Sequence, residues 1–216
     1  MLIWLLNSYK ILIVAAAILL YGCSKKASVA APTEHFVYIS DYTYQTVVIG
    51  SQTWTAVNYN GPGGEAYENG IDTVAQGKLY TMAEAAAVPL PSGWRVPTAN
   101  DFTNLITSIG IPPTDAPNGP PILSLMSTTG WFNGNGNNTS GFNALPLGYY
   151  GEGYGGVQSF QWKATHAVFI SYSTDGNTPS CLDIFRYAAP NDEQADLDYY
   201  VVLPTDRASL RFVKDN

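Results

Sequence analysis

The sequence predicts a domain of α+β class, and three observations carry that prediction. A strand–turn–strand pattern opens the folded part, two short helices with side-chain caps follow, and the last third runs in strand-length segments. The expected architecture is an N-terminal hairpin, two short helices and a C-terminal β-meander with long loops.

Each element has a local reason. Tyr44 to Ile49 and Gln52 to Asn58 are rich in Val, Thr, Ile and Trp, and Gly50-Ser51 between them suits a type II′ hairpin turn. Residues 60 to 77 form a Gly-rich loop. Thr81-Met82-Ala83-Glu84 is a capping box that opens an alanine-rich helix stopped by Pro89. Thr98 and Asp101 make a second box. Behind it, Phe102, Leu105, Ile106 and Ile109 repeat at helical spacing, until Gly110 and Pro112-Pro113 end the helix. Phe142 to Gly148 is a short strand candidate. His166 to Tyr172, Cys181 to Tyr187, Tyr199 to Leu203 and Ala208 to Val213 read as the late strands, with Asp175-Gly176-Asn177 and an acidic loop from Pro190 to Asp198 as turns.

The first 22 residues differ from everything after them. They hold one charge, Lys10, before an apolar run from Ile11 to Leu20, too short for a spanning helix and suited to a signal-peptide core. The run ends in Leu20-Tyr21-Gly22-Cys23-Ser24, which resembles the lipobox of bacterial lipoproteins. The resemblance implies cleavage after Gly22 and lipidation of Cys23, with Ser24 pointing to the outer membrane, periplasmic or surface face undecided. Residues 23 to 40 read as a flexible tether and residues 41 to 216 as the domain.

Composition narrows the partners. Of 216 residues only 12% are charged, about half the usual share, and glycine and tyrosine are abundant. The net charge is −7, and no basic cluster exists beyond Lys25-Lys26, which argues against nucleic acid.

Five segments resemble the Fibrobacter succinogenes major paralogous domain, in that family's order. They are Val48-Ile-Gly-Ser-Gln-Thr-Trp54, Leu79-Tyr-Thr-Met82, Pro91-Ser-Gly-Trp-Arg-Val-Pro-Thr98, Gly141-Phe-Asn-Ala-Leu-Pro146 and Ser209-Leu-Arg-Phe-Val-Lys-Asp215. The resemblance implies a C-type lectin-like domain, more distantly similar to the formylglycine-generating enzyme fold, in an envelope lipoprotein. Family members usually carry a cysteine before Pro-Ser-Gly-Trp and another in the final strand; here Leu90 and Phe212 stand there. If that pair is a disulfide in relatives, Leu90 and Phe212 are expected to touch in its place. A Trp-Ser-Ser-Thr motif of the family reads Trp162-Lys163-Ala164-Thr165.

Catalytic chemistry finds little to stand on. Gly151 to Gly156 matches G-x-G-x-x-G, but no helical pattern follows to meet a pyrophosphate. The two histidines, His35 and His166, are too few for an ordinary zinc site. Cys181 is the only cysteine beyond Cys23, whereas formylglycine-generating enzymes rely on a cysteine pair. The expectation is therefore no enzyme, no cofactor and no metal. Asp192, Glu193, Asp196 and Asp198 leave two readings open, a solvated acidic loop or a calcium site.

The positive signal is aromatic. Long excursions in the second half form the recognition face of C-type lectin-like domains. Here Tyr149, Tyr150 and Tyr154 stand among glycines, with Trp162 after them and Arg186 in the second excursion. Rigid aromatics among small residues suit adaptable recognition. Tyr150, Tyr154, Trp162 and Arg186 are therefore the expected ligand-binding residues, bordering one concavity for a glycan or an envelope or host protein. The alternative is a structural or assembly subunit of an envelope complex.

Overall fold

The hairpin expected at Gly50-Ser51 forms, and a second hairpin precedes it. In this computed structural model the described residues are 35–67, 76–111, 120–132, 134–153, 155–186, 195–200 and 203–216. Strand β1 (His35–Ile39) pairs antiparallel with β2 (Tyr42–Ile49), which pairs with β3 (Gln52–Thr55). Ser40 and Asp41 turn the first hairpin, both left-handed at φ 47 and 68. A Ser-Asp pair lacks the usual Gly or Asn of such a turn, so the sequence carries little sign of it. Strand β1 therefore lies inside the stretch read as a tether.

Two more short strands, β4 (Glu65–Ala66) and β5 (Lys78–Tyr80), lead to helix α1 (Met82–Ala86) and then α2 (Ala99–Ser108). Both capping boxes are complete. Thr81 accepts from the Glu84 amide and Thr98 from the Asp101 amide, and each carboxylate returns to the amide of its capping residue. Gly110 leaves α2 at φ 91. After a 3₁₀ turn (Pro120–Ser124) come β6 (Tyr149–Glu152) and β7 (Gln158–Gln161), then β8 (His166–Tyr172), β9 (Pro179–Arg186) and β10 (Ala195–Tyr200). The chain ends with β11 (Ala208–Ser209) and β12 (Val213–Asp215).

The class is predominantly β, not α+β. Among the described residues twelve strands stand against two α-helices, of five and ten residues. The difference lies in β1, β4, β5, β6 and β7. β4 and β5 are only two and three residues long, Gly and polar residues interrupt β6 and β7, and β1 follows a small, polar, aperiodic stretch, so these segments read as loop or tether until a partner strand pairs with them. The meander is also only partial. β8, β9 and β10 are antiparallel neighbours, but β11 slots between β8 and β5, parallel to β8. β12 leaves for the other sheet, whose order is β1-β2-β3-β12.

The switch between sheets happens at Leu210–Phe212, all fully buried. Arg211 sits there without a carboxylate. Its guanidinium donates to Asn58 Oδ1 at 2.6 Å, the Thr55 carbonyl at 2.7 Å and the Asn143 carbonyl at 3.1 Å. It also lies 5.0 Å from the Phe142 ring centroid and 5.6 Å from that of Phe169. Burial pulls its pKa down to about 9, so it stays charged at neutral pH.

Around it the core divides into two main clusters. Trp54 meets Phe102 at 5.1 Å and Phe142 at 5.6 Å, beneath the apolar face of α2. Tyr59 gathers Tyr44, Tyr80 and Phe212 within 5.1 to 5.6 Å. Leu90 packs at the half-buried margin of that second cluster, which contains Phe212.

Two predictions follow from this core. Arg211→Ala strands three buried acceptors and opens a cavity, so chemical denaturation should show a loss of about 3–5 kcal/mol. Burial also lifts the Tyr44 phenol to about 12, and lifts Tyr59 and Tyr80 above the ordinary range. The unfolded chain ionises these groups first, near pH 10. Their share of stability is therefore full below about pH 10 and is lost as pH rises toward 12. Urea unfolding at stepped pH should show that fall, and Tyr44→Phe should make it shallower.

Candidate ligand-binding region

The region expected to bind is built on the β6–β7 hairpin. Tyr149 pairs with Gln161 and Tyr150 with Phe160. Gly155 and Gly156, both left-handed, make its tip, so the G-x-G-x-x-G stretch is a hairpin end rather than a phosphate loop before a helix. Side chains alternate across a strand, which sends neighbouring tyrosines to opposite faces.

Tyr149 meets the Trp162 ring edge-to-face at 4.9 Å. Tyr150 meets Phe160 at 5.1 Å instead, and Phe160 meets Tyr67 at 5.3 Å. Trp162 is 45% exposed. Its backbone is left-handed at φ 56, and its carbonyl accepts from the Thr165 hydroxyl and the amides of Thr165 and His166. Beneath it lies His166, 4.6 Å away, with Phe185 on His166 at 5.3 Å. His166 Nδ1 contacts Asp183 Oδ2 at 2.7 Å, both side chains 4% exposed. The strand histidine is thus a buried imidazole held by a carboxylate and flanked by two aromatic rings.

Arg186 is half-buried at the end of β9. Its guanidinium donates to the Gly134 carbonyl at 2.8 Å, and its amide donates to the Thr165 carbonyl at 3.0 Å. Arg186 therefore adjoins the 162–166 turn, whereas Tyr150 belongs to the cluster of Tyr67, Leu79 and Leu147. Tyr154, Cys23, Asp192 and Glu193 lie outside the described residues, as do the side chains of Asp196 and Asp198 on β10. Among the described residues no group of three or more His, Cys, Asp or Glu could hold a metal ion.

A cavity that the sequence did not indicate opens beside this hairpin. It measures about 470 Å³, and its lining includes Tyr67, Gln76, Asn143, Leu145, Leu147 and Lys163. Tyr150, Trp162 and Arg186 do not line it. Tyr150 stands behind it, since Phe160 links Tyr150 to the lining residue Tyr67. Asn143 and Ala164 shape the wall from left-handed backbone, φ 56 and 62. Gln76 Oε1 is buried and has no hydrogen-bond partner among the described residues. The lining residues come from positions 67, 76, 129–130, 143–147 and 163–164, a set with no local pattern to reveal it. A second cavity of about 430 Å³ lies among Ser40, Tyr59, Glu84 and Val88. A third, about 320 Å³, lies among Phe36, Val48, Trp94 and Lys214.

Gly148 holds the hairpin to the sheet. Its amide donates to the His166 carbonyl at 2.8 Å, its φ is +65, and a Cβ there would sit 1.9 Å from the Gln161 carbonyl oxygen. Gly148→Ala should cost about 1–3 kcal/mol in thermal or chemical unfolding. It should also shift Trp162 emission, because the hairpin must move.

The family model described as the Fibrobacter succinogenes major domain matches residues 47–214. No curated protein and no solved structure matches the chain.

Proposed function

Because the chain belongs to the Fibrobacter succinogenes major domain family, we propose that it is a lipid-anchored cell-envelope protein whose domain binds a glycan or protein and catalyses nothing. The observation that carries the binding reading is the cavity beside the β6–β7 hairpin. Its volume, about 470 Å³, falls in the range of small-ligand sites. Leu145, Pro146, Leu147 and Tyr67 offer an apolar wall, while Lys163, Asn143, Thr129 and the buried Gln76 Oε1 offer polar contacts. A sugar ring presents the same division between C–H faces and hydroxyls. The lining groups are amides, a hydroxyl, a phenol, an amine and aliphatic chains, which suit holding a polar ligand.

The exposed face of Trp162, two residues before Ala164 in the cavity wall, extends this surface, with Arg186 beside the same turn. The proposed kinship with C-type lectin-like domains draws support from the two ends of the domain meeting in one sheet, β12 beside β3. The anchor reading rests on the apolar leader and the Gly22-Cys23 junction. No helix among the described residues is long and apolar enough to cross a membrane.

The test is a glycan screen run beside a pull-down from envelope extracts, using chain from Ser24 onward so that β1 is kept. Retention of defined glycans, lost in Lys163→Ala and weakened in Trp162→Ala at nearly unchanged melting temperature, is the expected result. Stoichiometric capture of envelope proteins with no glycan retained would favour a subunit role instead. A clickable fatty acid should label the wild-type protein, and label persisting in Cys23→Ala would sink the anchor.

A further inference from the structure

Part of the first hairpin is exposed and apolar. Phe36 is 52% exposed, Tyr38 62% and Val48 51%, whereas Tyr42 pairs with buried Ile39 and lies on the other side from Tyr38. Phe36 and Tyr38 alternate with buried Val37 and Ile39, so β1 turns one row inward and the other out. Phe36 and Val48 continue into the 320 Å³ groove with Thr53, Trp94 and Lys214. Lys214 Nζ lies 5.8 Å from the Trp94 ring centroid. Phe, Tyr and Trp flanked by a long-stemmed lysine make the side-chain set of a bilayer interface. Exposed apolar patches of this kind mark an interaction surface.

We infer that this patch rests on a zwitterionic lipid headgroup surface, with Phe36, Tyr38, Val48 and Trp94 at the acyl boundary and Lys214 among the phosphates. The inference depends on the lipid anchor proposed above. Eleven residues separate Cys23 from His35, a covalent reach of at most about 40 Å, and that segment runs straight into β1. Charge selects the headgroup. The chain carries −7, and at the patch Lys214 and Arg95 stand against Asp41 and Asp215, with Arg95 bonded to Asp215, so no excess positive charge is there to hold a strongly anionic surface. A protein contact beside the anchor would add apolar burial to that of the acyl chains. It would also restrain the domain relative to the bilayer.

Tryptophan fluorescence tests this on full-length protein in vesicles of phosphatidylethanolamine and phosphatidylcholine with brominated acyl chains. Trp54 and Trp131 are buried, which leaves Trp94 and Trp162 as the accessible described reporters. Brominated lipid should quench the wild-type protein and Trp162→Phe, and the quenching should be lost in Trp94→Phe. A Phe36→Ser/Tyr38→Ser double variant, altered only at exposed positions, should lose it too while keeping its melting temperature.

Fatty-acid label on Cys23 is scored in the same samples. Labelled protein whose Trp94 is not quenched overturns the lipid contact and leaves the anchor standing. Unlabelled protein overturns the anchor; quenching of its Trp94 would still support the contact, and none would overturn it. Phe36→Cys protein that cross-links to a second copy, with Trp94 unquenched, assigns the face to self-association and overturns the inference.

Discussion

A single buried cation, Arg211, ties the two main sheets to each other. A charge in an apolar interior is tolerated only when every donor direction finds an acceptor. Here the acceptors come from the end of β3, from the loop after it and from Asn143, and the flat faces are taken by Phe142 and Phe169. Moving any of these segments would strand the guanidinium. Over the three residues between β11 and β12, Arg211 bonds to the end of β3 and the loop after it, and lies over the Phe169 ring of β8.

A second polar knot secures the other end of the same strand. Asp101 caps α2, accepts from Arg95 at 2.6 Å and accepts from Gln52 Nε2 at 2.6 Å. Arg95 and Gln52 both continue to Asp215, at 3.0 Å each. One carboxylate thus orients a helix, a hairpin and the C-terminal strand. Arg95 is 37% exposed on its side chain, so solvent weakens its pairs, and their main effect is to set position rather than stability. The segments that carry the family resemblance converge on these two knots and on Trp54. They are the framework on which the fold is assembled, and none of those knots borders the 470 Å³ cavity except through the backbone of Asn143.

The β6–β7 hairpin stands apart from this framework. β6 and β7 form a sheet of their own, joined to the framework through Gly148 and through reciprocal bonds between Tyr150 and Arg207. Its two faces differ. One side supports the Trp162–His166–Phe185 stack, the other the Tyr150–Phe160–Tyr67 wall. A region so attached can change its side chains without disturbing Arg211 or Asp101. This is the physical basis for placing recognition there.

Local chemistry sufficed for several elements. The two capping boxes bind amides three residues away, the Gly50 turn needs one left-handed residue, and the mostly apolar stretch from His166 to Tyr172, rich in β-branched and aromatic residues, reads as an interior strand. All of these are decided by neighbours in sequence, and the residues alone determined them. The predominantly β class was decided otherwise. β1, β4, β5, β6 and β7 are too short or too polar to declare themselves, and each exists because a partner strand satisfies its backbone. The separation of Tyr149 from Tyr150 depends on where the hairpin docks. The cavity depends on residues almost a hundred positions apart, from Tyr67 to Ala164. Arg211 reaches partners 68 to 156 residues away, so nothing beside it in sequence could reveal that its charge would be buried.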